Sequence, residues 1–364
     1  MAAVNQFAAE PVVSDEYAFV SILDYGIWRQ KNLEPLIGKK FVVAITFGRK
    51  SDGATVIGWG KKRSGCRAQR NAAKNDALAC WLIEDGFLRS FGTGENFPPL
   101  SLVVDDQGIY YDSTCASALE ALLASDADVL AGIAADVARA RALVLAHRLS
   151  KYNHAADWDC DMDRDESAGS EVDAQAGVVK AVLVIDQTAG DMSVSLGGAG
   201  ADTFTAMLAA ARAENPQATI YVKTHPEVAS GRKGGYLTQV QDGLINGQRT
   251  VVLRQAINPL SLIERMDRVY VVTSTMGFEA LLAGKPVTVF GMPWYAGWGA
   301  TDDRQSCERR LPRAGRQRSV DELFAAAYFH YARYLNPVTH KRGTIFDVID
   351  WLVRQRSMAF GLQS

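Results

Sequence analysis

Short apolar, β-branched runs recur along the chain, each followed by a helical or glycine-rich stretch. A strand that is apolar on both faces must be covered on both, and helices do the covering. The alternation therefore predicts an α/β fold of parallel sheets flanked by helices. In the first half the strand candidates are Ala18–Leu23, Phe41–Phe47, Ala54–Trp59 and Cys80–Ile83. Leu100–Val104 and Ile109–Tyr111 flank Asp105–Gly108, which predicts a hairpin, since acids and glycine suit a tight turn. Ala-rich helical stretches follow at Ala116–Leu123 and Asp128–Leu149. In the second half Val179–Ile185, Thr219–Lys223, Thr250–Leu253, Val269–Thr273 and Pro286–Phe290 read as strands. Thr203–Glu214, Leu260–Met266 and Gly277–Ala283 between them have helical periodicity.

From Asn153 to Ala176 the chain is polar, acidic and nearly free of large apolar residues, which reads as a linker. The expected organisation is a Rossmann-like domain over 1–152, a linker over 153–177 and a second Rossmann-like domain over 178–318. The tail, 319–364, is expected to form helices that pack back on the first domain, with Ser319 as an N-cap. Two such halves with a cleft between them place ligands beyond the carboxyl ends of the strands.

Composition narrows the classes. With 364 residues, 48% of them hydrophobic, there is apolar mass for two cores, which excludes full-length disorder. The 39 Lys plus Arg against 41 Asp plus Glu supply no general reason to bind nucleic acid. No apolar run approaches the ~20 residues of a spanning helix, and Met1–Pro11 lacks the character of a signal peptide. Cys66, Cys80, Cys115, Cys160 and Cys307 form no CxxC pair and read as reduced thiols in a cytoplasmic protein.

Five segments carry chemistry-bearing residues. Glu84 and Asp85 leave a buried strand at a glycine turn, where a carboxylate is partly desolvated and suited to proton transfer, or else simply caps a helix. Gln187 and Asp191 stand in a polar loop before the Gly-rich run Leu196–Gly200. Its backbone N–H groups could cradle phosphate, or it is a flexible connection. Lys223, His225 and Pro226 end a strand and suit an anionic phosphate, with helix capping as the alternative role for His225. Ser274, Thr275 and Gly277 open a helix whose first turns hold Glu279, placed to accept from ribose hydroxyls; an ordinary cap is the plain alternative. Trp294 and Tyr295 lie in a glycine-rich aromatic loop that lines a sugar pocket or packs in a core. The alternating acids Asp157 to Asp165 are not an EF-hand, because Met162 and Ala168 stand where Gly and Glu are needed. Arg304 to Arg318 holds six arginines and reads as an exposed loop, or as a patch facing anionic lipid.

Taken in order, these segments resemble the KpsC-type β-Kdo transferases of bacterial capsule biosynthesis. The carrying residues are Glu84–Ser90, Pro99–Val103, Gly108–Asp112, Asp186-Gln187, Gly190–Ser193, His225-Pro226, Gly277–Leu282 and Trp294–Gly299. The resemblance covers most of the chain, and its Gln-Thr-x-Gly-Asp-Met-Ser form looks most like the amino-terminal module of two-module members. It implies a metal-independent retaining glycosyltransferase of GT-B-like architecture. CMP-β-Kdo would be the donor, and Kdo would be added, by a β-2,4 linkage, to a poly-Kdo linker on a lysophosphatidylglycerol anchor. It implies Asp191 as nucleophile and Glu84 as base, with Asp85 in reserve. Gln187, Lys223, His225, Pro226, Ser274, Thr275, Gly277 and Glu279 would bind the donor. Arg89 and Arg232 are candidates for the sugar carboxylate, and Trp294 and Tyr295 for sugar or acceptor. Peripheral contact with the inner membrane and with capsule assembly and export machinery would follow, with no cofactor. A non-catalytic export or assembly subunit, and a UDP-sugar transferase or epimerase on the same architecture, stand as alternatives.

Overall fold

The computed structural model describes residues 19–22, 24–43, 55–76, 78–94, 96–159, 179–229, 231, 233–310 and 317–361. Most of the expected linker, Arg232, Cys160 and Asp161 to Asp165 lie outside them. The chain forms two compact units, one of residues 1–154 with 308–364 and one of residues 155–307. The second unit thus ends ahead of the expected 318.

The strands of the first unit's sheet are β1 (Phe19–Ile22), β2 (Lys40–Val43), β3 (Thr55–Trp59), β4 (Ala79–Asp85) and β5 (Ser101–Asp105). The second unit contributes β6 (Ala181–Ile185), β7 (Thr219–Lys223), β8 (Gly243–Ile245), β9 (Gln248–Leu253), β10 (Arg268–Val271), β11 (Val287–Val289) and β12 (Asp302–Asp303). The tail returns β13 (Ala332–Leu335) and β14 (Arg342–Gly343) to the first unit. The two seven-stranded sheets run β14-β13-β5-β4-β3-β1-β2 and β12-β11-β10-β6-β7-β9-β8.

Neither sheet is purely parallel, which corrects the expectation. β4–β5, β5–β13, β13–β14 and β8–β9 pair antiparallel. The tail is therefore not only helical: β13 takes the side of β5 expected for a hairpin partner. Ile109–Tyr111 form no strand, because Asp105 turns the chain away. Its carboxylate accepts from the N–H groups of Gln107, Gly108 and Ala118, a local polar competitor to strand pairing.

β6 is apolar along its whole length and buried from Val182 to Ile185, as a central parallel strand must be. With Ile220, Val222, Tyr270, Phe204 and Met207 it builds the second unit's core. The first unit packs Leu33, Leu36, Ile57, Ile83, Leu102 and Leu335 together. Ser319 does cap the helix Val320–Phe324, in a reciprocal box with Glu322. In the second sheet, successive connections leave β6 to opposite sides, toward β7 and later toward β10. That makes the carboxyl end of β6 a topological switch point.

Candidate active site

In the first unit β3 and β4 pair with Trp59 opposite Ile83, so their carboxyl ends emerge together. This puts Glu84 beside the turn that follows Trp59. The Trp59 indole N–H donates to Glu84 Oε1 at 2.7 Å, and the Asp85 backbone N–H donates to the same oxygen at 3.1 Å. Tyr111 accepts from the Lys61 N–H at 2.8 Å, which leaves its hydroxyl proton for Glu84. Gly60 has φ +42°, and a Cβ there would fall 2.1 Å from the Tyr111 hydroxyl and 2.7 Å from Glu84 Oε2, so only glycine fits. Burial raises the Glu84 carboxyl above its ordinary range, opposed chiefly by the Lys151 ammonium. A carboxyl held by donors and tuned upward is suited to taking a proton.

Asp85 differs. It pairs with Arg89 Nε at 2.8 Å, and Arg89 also donates to Ser90 Oγ and to the Phe97 carbonyl. The candidate sugar-carboxylate arginine is thus tied to Asp85 and the loop. Gly86 follows because β5 comes close: a Cβ there would lie 2.3 Å from Ser101 Oγ.

In the second unit β10, β6 and β7 are neighbours, and their carboxyl ends bring Thr273, Gln187 and Lys223 together. Gln187 is buried. Its Nε2 donates to Thr273 Oγ1 at 3.0 Å, and its Oε1 accepts from the Thr273 N–H at 3.0 Å. The same Nε2 lies 3.4 Å from Asp191 Oδ2. Asp191 caps the helix Met192–Leu196, accepting from the Ser193 N–H at 2.9 Å, and stays half-buried. Asp186 is buried and accepts from the N–H groups of Gln187 and Tyr236, bracing the loop.

Lys223 is buried, and its ammonium donates to the Thr224 carbonyl at 2.6 Å. No carboxylate among the described residues pairs with it, and burial lowers its pKa to about 8. His225 lies close enough to feel Lys223 and Asp191, and burial lowers its imidazole below the usual value. Its Nδ1 accepts from the Glu227 N–H at 3.2 Å, so neutral His225 carries its proton on Nε2. Pro226 opens the short helix Pro226–Ala229. A carboxylate, a buried cation and an N–H donor thus cluster where two strands end. An anionic leaving group would find two donors there, and an electrophilic carbon one oxygen nucleophile.

Ser274 and Thr275 precede the helix Met276–Leu282, and Glu279 is buried on it. Gly277 is there for packing: a Cβ would meet the Tyr295 hydroxyl at 2.2 Å. Trp294 and Tyr295 are 4% and 0% exposed, and Phe278 packs against both rings. Their rings support the loop from within the core, which replaces the sugar-facing role expected of them. The arginine run turns inward only in part: Arg310 and Arg318 are buried, whereas Arg304 and Arg309 stay exposed as expected. Arg309 and Arg310 both pair with Glu120 at 2.7 Å, and Arg304 pairs with Glu214 and Asp302. Arg318 is buried and donates to the carbonyls of Leu123, Ser125 and Ala127. Only Arg313 and Arg316 of the six lie outside the described residues.

Sequence alone does not mark Trp59, Lys61, Tyr111, Lys151 or Thr273 as site residues. The Trp59-Gly60 step that closes a strand is the signal available for the first of them.

The family model described as capsule polysaccharide biosynthesis protein matches residues 54–334. The capsule polysaccharide modification protein LipA of Neisseria meningitidis serogroup A is 47% identical over 305 residues, 82% of this chain and 41% of that protein. The lipopolysaccharide-processing protein LpsZ of Rhizobium meliloti is 38% identical over 74% of this chain and 57% of its own. The chain therefore spans well under two thirds of the length of these curated relatives. Among solved structures, the Thermosulfurimonas dismutans KpsC β-Kdo 2,4 transferase superposes with a TM-score of 0.78 at 41% identity, covering 93% of this chain and 98% of that one. The β-Kdo 2,7 transferase of the same KpsC superposes with a TM-score of 0.64 at 25% identity, covering 94% and 100%. No helix among the described residues is long and apolar enough to cross a membrane. With a family model matched over most of its length, the chain belongs to the capsule polysaccharide biosynthesis protein family.

Proposed function

We propose that this chain is a retaining β-Kdo glycosyltransferase that draws on CMP-β-Kdo to extend a poly-Kdo linker on a lysophosphatidylglycerol anchor. The observation that carries the reading is the buried, carboxylate-free Lys223 beside His225 and Asp191. A phosphate leaving group compensates such a cation, and the neighbouring Nε2–H of His225 adds a donor. In the GT-B-like arrangement we infer, Lys223, His225, Ser274 and Thr275 hold the CMP phosphate and Glu279 accepts from the ribose. Gln187 positions Asp191 rather than touching substrate.

Retention requires two displacements. Asp191 attacks the anomeric carbon as CMP departs with its bonding pair. Glu84 then takes the proton of the acceptor hydroxyl as its oxygen displaces Asp191. No metal is needed to neutralise a monophosphate leaving group. The greater likeness to the 2,4 than to the 2,7 transferase favours a β-2,4 linkage.

The test is intact-mass spectrometry after exposure to CMP-Kdo regenerated in place. A single added Kdo on the wild type, absent in Asp191→Asn, is expected, together with loss of transfer in that variant and retained CMP binding. An Asn variant that still transfers would remove Asp191 as nucleophile.

A further inference from the structure

In the first unit, residues 61–75 hold six cations (Lys61, Lys62, Arg63, Arg67, Arg70 and Lys74) and no acid, in a chain whose 39 Lys plus Arg and 41 Asp plus Glu nearly cancel only when this segment is counted. The helix Arg63–Ala72 sorts them by face. Ser64, Gly65 and Ala68 are buried, whereas Arg63, Arg67 and Arg70 are exposed, as is Lys74 just beyond its end. Spacings of four, three and four residues put the last four cations on one side of the helix. The row runs about 16 Å at ~1.5 Å per residue. Together with Asn71 these side chains line an open depression of about 350 Å³.

Helix stability accounts for only part of the pattern. Arg70 and Lys74 stand at the carboxyl end, where the helix dipole favours positive charge, but Lys62 and Arg63 stand at the amino end, where it disfavours it. Packing does not account for the rest, since Gly58 and Gly65 already bring β3 and the helix into backbone contact. The helix also starts at the catalytic candidate of this unit. Trp59 donates to Glu84, and the Lys61 N–H donates to Tyr111.

We propose that this cationic helix face docks the protein on an anionic phospholipid surface. A straight row of charges over three turns matches a plane of headgroup phosphates, whereas one small anion would use a convergent pair of cations. Docking by this face would hold Glu84 near the headgroups, where a lipid-linked acceptor presents its sugar. The docking itself rests on the charge row, so the transferase reading stands or falls separately.

The test is co-sedimentation of the full chain with phosphatidylcholine vesicles made with and without phosphatidylglycerol. Binding is expected only with phosphatidylglycerol and is expected to vanish as salt rises from about 0.1 M to about 1 M, which shortens the Debye length from ~10 to ~3 Å. Each cation near such a surface contributes about fivefold in affinity. Arg63→Gln, Arg67→Gln, Arg70→Gln and Lys74→Gln combined should therefore weaken binding at least about a hundredfold. A control that replaces Lys180, Lys233, Arg265 and Lys341, exposed cations elsewhere, should keep it. Absence of binding, equal binding to phosphatidylcholine alone, an unaffected row variant, or an equal loss in the control would each overturn the proposal. So would saturation of the row by a soluble acidic polysaccharide without any vesicle binding.

Discussion

Two kinds of buried cation distinguish the two units. Arg310 and Arg318 in the first unit are 2% and 3% exposed, and Lys223 in the second is 6% exposed. Arg310 shares the Glu120 carboxylate with Arg309, and Arg318 spreads its N–H groups over three carbonyls and Glu322. Lys223 has one backbone carbonyl. Equal burial thus serves different ends. A cation whose donors are all matched belongs to the architecture. A cation left short of negative charge, with its pKa pulled down to about 8, is held ready for an anion that arrives later.

The contrast can be broken most severely at Glu120. Glu120→Gln leaves Arg310 buried without its carboxylate and should cost about 3–5 kcal/mol of stability, read from the urea midpoint. A loss below about 1 kcal/mol would mean that the pairing is incidental. Lys223→Met should do the reverse, raising the unliganded protein's stability by about 1–3 kcal/mol while CMP affinity, measured by calorimetry, falls at least about tenfold. A destabilised variant with intact CMP binding would make Lys223 structural. Trp59→Phe should lower turnover about tenfold with donor KM unchanged. It should also move the acidic limb of the pH–rate profile upward, because the Glu84 carboxylate loses a donor. The smallest expected effect is on pH dependence at Lys223. Between about pH 8 and 10.5 the unfolded chain keeps a proton that the folded chain has released. Stability of the unliganded protein therefore rises with pH across that window, and CMP affinity declines as pH passes about 8.

What was legible in the sequence was whatever depends on neighbours along the chain. Thr219–Lys223 is a strand with the expected ends because a β-branched run stops at a polar step. The clustering of Lys223, His225 and Asp191 follows from each standing at or just past a strand end. What was not legible depends on contacts between distant segments. β13 could not be read, because its partner β5 lies more than two hundred residues earlier and its own run, Ala332–Leu335, is short. Trp294 and Tyr295 look like a sugar platform until Gly277, from another segment, is seen to make room for the Tyr295 ring. The inward turn of Arg310 depends likewise on the remote Glu120. The Arg63–Ala72 helix is hard to read from sequence because its buried face is built of serine, glycine and alanine, which supply little apolar periodicity.

The doubly bonded amide of Gln187 has a consequence for which residue can occupy that position. Its oxygen must face the Thr273 N–H, so its nitrogen is obliged to face Thr273 Oγ1 and the Asp191 side. A glutamate of the same shape would have no hydrogen to offer there and would set a second negative charge against Asp191. The position therefore discriminates between two nearly isosteric side chains by the polarity of a single atom, and the orientation of the acid four residues later is inherited from that choice.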